Sequence, residues 1–142
     1  MPFCIPIAVR SFELDSFGHV NNSVYLNYLE EARGEYLKEI GLTFNDLKAH
    51  GVHLVIVEAH VVYHAPAHYG DVLLVQGCFT EIRAASLTIH YTLTTQAEGK
   101  KIATASTRAG SIEASTGRPI RMPEPFRSSF QRAVALSESK TN

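Results

Sequence analysis

At 142 residues with 45% hydrophobic composition, the chain has the size and apolar content of one domain built on one core. Lys plus Arg (13) nearly balances Asp plus Glu (14), so the basic field that nucleic-acid binding normally requires is absent. No run reaches the roughly 18 apolar residues of a membrane span, and Met1–Pro6 has no basic segment ahead of an apolar one.

These features predict a soluble, cytoplasmic protein whose partners are neither nucleic acid nor membrane. Cys4 and Cys78 stand alone, without metal-ligand spacing, and read as two reduced, buried thiols.

Ile5 to Leu14 alternates loosely and reads as a first strand that delivers Asp15 to a turn. Next comes Asp15-Ser16-Phe17-Gly18-His19-Val20-Asn21-Asn22, a carboxylate, a glycine turn, an imidazole and two amides directly ahead of a helical pattern. Tyr25, Leu29, Ala32, Tyr36 and Ile40 recur every three or four residues, which predicts an amphipathic helix from Ser23 to about Ile40, stopped by Gly41. Capping chemistry accounts for Asn21 or Asn22. It does not account for Asp15 or His19.

Thr43 opens a short helical turn that ends near Gly51. Val52 to Tyr63 and Val72 to about Ile82 are rich in Val, Ile, Leu and aromatic residues and read as strands, separated by the Pro- and Gly-containing stretch His64–Asp71. Leu87, Ile89, Tyr91 and Leu93 alternate with Thr88, His90, Thr92 and Thr94, the pattern of a half-buried antiparallel strand. Glu98-Gly99 closes a hairpin into Lys101–Ala114, whose small residues Ala103, Ala105 and Ala109 admit a close layer.

A terminal helix is expected from Pro123 to about Leu136, completing one domain over 1–136, with a frayed tail over 137–142. The order predicts an α+β fold, a curved antiparallel five-stranded sheet wrapped around one long central helix. Such a sheet leaves open edges, so a homodimer is expected, with a dimer of dimers (homotetramer) equally compatible.

The run Asp15–Tyr25, read as D-x-x-x-H-V-N-N-x-x-Y, resembles the hotdog-fold acyl-CoA thioesterases of the 4-hydroxybenzoyl-CoA thioesterase-like group. Tyr63–Leu73, read as Y-x-x-P-x-x-x-G-D-x-L, is similar to a second segment of that family at the usual separation. The resemblance covers the chain to about Met122. It implies a hotdog fold, dimers that hold acyl-CoA near the subunit interface, and hydrolysis needing neither metal nor cofactor. It also implies that Asp15 is the catalytic carboxylate and that backbone N–H groups around Asn22 bind the thioester oxygen.

One branch of the family has histidine at the Asn22 position and tyrosine where this chain has Ser11. Asn21-Asn22 is similar instead to the branch acting on longer aliphatic acyl-CoAs, including fatty-acyl and methylketone-forming enzymes.

Thioester hydrolysis needs an oxygen nucleophile at the carbonyl carbon and positive potential where the oxyanion forms. N–H groups at a helix N-terminus supply that potential. Asp15 serves either as general base on water or as the attacking nucleophile. His19 joins it as a catalytic candidate or as a structural residue of the Gly18 turn, and Asn22 is the expected cap whose own N–H faces the thioester. Asn21 and Tyr25 are the adjoining substrate-binding candidates, while His53 and Glu58 are placed in the tunnel opposite Asp15.

His60 and His64 share metal-like spacing, but on a strand residues four apart lie roughly 13 Å from each other, which argues against zinc. Medium- to long-chain acyl-CoA is the expected substrate. Aromatic acyl-CoA, acyl-carrier-protein thioesters, enoyl-CoA hydration and non-catalytic acyl binding are the alternatives.

Overall fold

The computed structural model describes residues 3–141. The strand β1 (Phe3–Ala8) leads through a 3-10 turn (Ser11–Glu13) to the long helix α1 (Val24–Glu39) and the short helix α2 (Phe44–Ala49). Then follow β2 (Val52–Tyr63), β3 (Val72–Ile82), β4 (Ser86–Thr95), β5 (Lys101–Glu113) and the terminal helix α3 (Phe126–Thr141).

The first strand ends at Ala8, well before Leu14. Glu13 accepts hydrogen bonds from the backbone N–H and the guanidinium of Arg10, and this rolls the chain into the 3-10 turn. At the other end α3 continues to Thr141 rather than stopping near Leu136, since no Gly or Pro interrupts it there. Asn142 lies outside the described residues.

The five strands form one antiparallel sheet in the order β1-β3-β4-β5-β2. Register shifts at Ile56/Glu58, Phe79/Glu81 and Leu93/Thr94 insert an irregularity into three of its four pairings, and bulges of this kind bend a strand and strengthen its twist. The sheet therefore curves around α1, the architecture implied by the sequence resemblance.

The alternation in β4 holds, because Leu87, Ile89, Tyr91 and Leu93 are all buried. Helix α1 buries Tyr25, Tyr28, Leu29, Ala32 and Leu37. Full burial of a Leu or Phe side chain stabilises by about 1.5–3 kcal/mol, so this face fixes where the helix sits.

Helix α1 leans on β1 and β3, where Phe3 stacks on Tyr36 at a ring separation of 4.5 Å. The loop ahead of α1, the first turn of α1 and the end of β2 with the residues that follow it enclose the site. Strand β2 is also an edge, paired among the described residues only to β5, and it exposes Ile56, Val57, Val62 and Tyr63. Both cysteines are free, but Cys4 is exposed, contrary to expectation, because β1 alternates and places it on the outward side. Cys78 is half-buried, and burial pushes its thiol up.

Candidate active site

The loop between β1 and α1 holds Asp15 by its own backbone. The Asp15 N–H donates to the carbonyl of His19 at 2.7 Å, while Oδ1 accepts from the N–H groups of Phe17 (2.9 Å) and His19 (3.1 Å). Gly18 turns this loop at a φ of 80°, in the left-handed region that glycine enters without a Cβ penalty. The second oxygen, Oδ2, has no hydrogen-bond partner among the described residues. Asp15 is half-buried and lines a cleft of about 430 Å³.

The start of α1 forms another wall. The side-chain oxygen of Asn21 accepts from the N–H (3.1 Å) and hydroxyl (3.0 Å) of Ser23, and its backbone N–H donates to the carbonyl of Glu13 at 2.9 Å. The N-cap is thus Ser23 rather than Asn22, because the Asn21 amide has already taken the capping contacts. The Asn21 carbonyl accepts from the N–H of Val24 at 2.9 Å and so lies along the helix. In a planar trans peptide the following N–H points the opposite way, so the N–H of Asn22 is directed outward from the helix N-terminus. It has no partner among the described residues, and Asn22 lines the same cleft.

Tyr63, the last residue of β2, donates to the carbonyl of Asn22 at 2.8 Å. Its ring stands edge-on to Tyr25 at 5.2 Å, and both residues line the cleft. Tyr25 is buried, and burial pushes its phenol up. It is at once a core residue and part of the cleft wall. His19 also reaches the cleft, with its ring edge-on to His68 at 5.1 Å.

Five of the expected residues, Asp15, His19, Asn21, Asn22 and Tyr25, therefore come together. His53 and Glu58 do not line this cleft. His53 is the second residue of β2, ten positions from Tyr63, or roughly 33 Å along an extended strand. Glu58 follows the bulge and turns to His60 (3.0 Å) and Arg108 (3.3 Å), which belong with it to a separate surface pocket.

Two contributors escape a reading of the sequence alone. Tyr63 is visible only as the first residue of the second motif, with no indication that it reaches Asn22. Buried Glu13 accepts from Arg10 and from the Tyr28 phenol at 3.0 Å, and its carbonyl holds Asn21. Burial pushes its carboxyl up, but the hydrogen bonds from the Arg10 side chain and backbone and from Tyr28, with the Arg10 charge, outweigh burial and hold it below the usual carboxylate range. The one feature that could have flagged it is its spacing of three residues from Arg10.

Comparison with known proteins follows the same outline. Residues 9–130 match the model of the thioesterase-like superfamily. The long-chain acyl-CoA thioesterase FadM of Escherichia coli is 29% identical over 128 residues, which cover 90% of this chain and 96% of FadM. The chloroplastic acyl-acyl carrier protein thioesterase ATL3 of Arabidopsis thaliana is 31% identical over 126 residues, covering 89% of this chain and 66% of ATL3. Among solved structures, a hypothetical protein (TT1821) of Thermus thermophilus superposes with a TM-score of 0.85 at 32% identity, covering 92% of this chain and 98% of that one.

Proposed function

The chain belongs to the thioesterase-like superfamily, and from that premise we propose that it hydrolyses aliphatic, medium- to long-chain acyl-CoA to the free acid and CoA. One observation carries the reading: Asp15, whose Oδ2 has no partner among the described residues, and Asn22, whose backbone N–H has none there either, line one cleft.

In the hydrolysis the thioester carbonyl oxygen lies against the Asn22 N–H at the positive end of α1. Asp15 takes the proton of a water as the water oxygen bonds to the carbonyl carbon, or attacks that carbon itself and leaves a mixed anhydride for water to cleave. The carbonyl π electrons move to the oxygen, and the resulting oxyanion is stabilised by the N–H, a contribution of about 3 kcal/mol per donor in comparable sites. Collapse of the intermediate breaks the carbon–sulfur bond and expels the CoA thiolate. Thiolate is a good leaving group, so no strong acid is required.

The long aliphatic preference draws support from FadM and from the apolar cavity beside α1. Acyl-carrier-protein thioesters are the second reading, favoured by the likeness to ATL3. The exposed apolar β2 edge supports a homodimer joined along that strand.

The deciding experiment is a thiol-trapping assay over acyl-CoAs of increasing length, an aromatic acyl-CoA and acyl carrier protein thioesters, run on wild type and Asp15→Asn. Asn keeps an acceptor for the Phe17 and His19 N–H groups, so the loop survives while kcat falls roughly a hundredfold or more. Full activity in Asp15→Asn would overturn the assignment.

A further inference from the structure

A second cavity opens further along α1. Leu26, Glu30, Arg33 and Leu37 are spaced by three or four residues and so share one face of the helix, which Asn22 precedes. Asn22 lines the thioester cleft, and the face passes the exposed Leu26 and ends in a cavity of about 80 Å³ lined by Arg33, Leu37, Leu54, Ile56, Phe79 and Ile89. Strand β2 contributes to both, with Tyr63 at the first cleft and Ile56 and Leu54 at the second. From Val24, the first residue of α1, to Arg33 the helix rises about 14 Å, the reach of an acyl chain of roughly a dozen carbons.

An apolar cavity at that distance suits the end of an alkyl chain, except for Arg33. Its Nη1 donates to the Tyr91 hydroxyl at 3.1 Å, and that hydroxyl lies 3.2 Å from Thr107 Oγ1, with Tyr91 and Thr107 both buried. The guanidinium has no ion-pair partner among the described residues. It carries five N–H donors, of which this network uses one. A plain methyl terminus would strip water from the others and give nothing in return, whereas an oxygen would accept from them. Glu30 also lines the cavity, and its charge disfavours a carboxylate-ended chain. A neutral hydroxyl or keto oxygen satisfies both residues.

We propose that Arg33, braced by Tyr91 and Thr107 in the second cavity along α1, selects acyl groups that carry a neutral oxygen near their distal end. The inference rests on the acyl-CoA hydrolase reading and names its substrate class.

The test compares kcat/KM for ω-hydroxydodecanoyl-CoA, dodecanoyl-CoA and hexanoyl-CoA in wild type, Arg33→Met and Arg33→Lys. Wild type prefers the hydroxylated chain over the plain one roughly tenfold or more. Arg33→Met brings the ratio to one or below by accelerating the plain chain, Arg33→Lys retains part of the preference, and hexanoyl-CoA, too short to reach, is unaffected. Dissociation constants of the two long substrates measured in Asp15→Asn give the same ratio without turnover. An equal ratio in wild type, or a preference unchanged in Arg33→Met, overturns the inference. Failure of the hydrolase reading shows separately, as no thiol release from any of the three substrates in wild type.

Discussion

The phenol of Tyr63 donates to the backbone carbonyl of Asn22 across a separation of 41 residues, tying the end of β2 to the turn ahead of α1. This bond fixes the peptide that follows Asn22, while the Asn21 carbonyl, held by Val24, fixes the one before it. The proposed oxyanion donor is clamped from both sides. Tyr63→Phe removes the hydroxyl and leaves the ring against Tyr25, so a loss of about 1 kcal/mol of transition-state stabilisation is expected, a fall in kcat of roughly fivefold. Steady-state rates at saturating acyl-CoA check this. A variant that changes only KM would place Tyr63 in binding and not in positioning the Asn22 N–H.

Asn21 holds the same turn from inside the loop. Its amide oxygen takes both the N–H and the hydroxyl of Ser23, so Asn21→Ala leaves these two donors at the entry to α1 without their acceptor. Loss of such a cap costs about 0.5–2 kcal/mol of stability, which urea denaturation would register as a lower midpoint at unchanged slope. Asn21→Asp keeps the acceptor and adds negative charge at the positive end of the helix, so its midpoint is expected at or above that of wild type. An Asp variant as unstable as Ala would show that the amide nitrogen, and not the oxygen, is what matters.

Much of this arrangement was legible because it is local. The bounds of β2 and the start of β3 lie where apolar runs meet Gly51, Pro66 and Gly70, and the buried face of β4 is the one that its alternation marks. The cleft residues Asp15 to Tyr25 are also consecutive, so their convergence needs only one turn and one helix start. What escaped depends on distant contacts. Glu13 reaches Tyr28 across 15 residues and Tyr63 reaches Asn22 across 41, and neither pairing leaves a pattern in the sequence. Within the chain Glu58, just after the bulge at Ile56, turns to His60 and Arg108 rather than to the cleft, a contact 50 residues away in the case of Arg108 that no local pattern announces.

Glu13 makes the fold sensitive to acid. Its folded carboxyl titrates below the ordinary value of 4.5, so the folded state favours the ionised form and gains stability that is fully present above about pH 4.5. That stability is lost as pH falls through the lower, folded value, where Arg10 and Tyr28 no longer face a charge. Glu13→Gln is expected to cost about 1–3 kcal/mol at neutral pH and to flatten this part of the acid limb. Urea denaturation between neutral pH and about pH 3 separates the two effects. An acid limb equally steep in Glu13→Gln would assign it to other carboxylates.

The β2 edge provides the last prediction. Ile56, Val57, Val62 and Tyr63 are exposed along a strand whose outer N–H and C=O groups have no partner strand among the described residues. Two copies paired antiparallel through this edge would bury the apolar side chains and join two five-stranded sheets into one. Because such an interface is self-complementary, a charge placed on one strand meets the same charge on its copy. Val57→Lys combined with Val62→Lys should therefore lower the mass measured by light scattering from twice the chain mass to the chain mass. Both residues are already exposed in the isolated chain, so the double variant should keep its urea midpoint when measured at concentrations where wild type is dissociated. Wild type that already scatters as a single chain at high concentration would remove the dimer, and with it the pairing of β2.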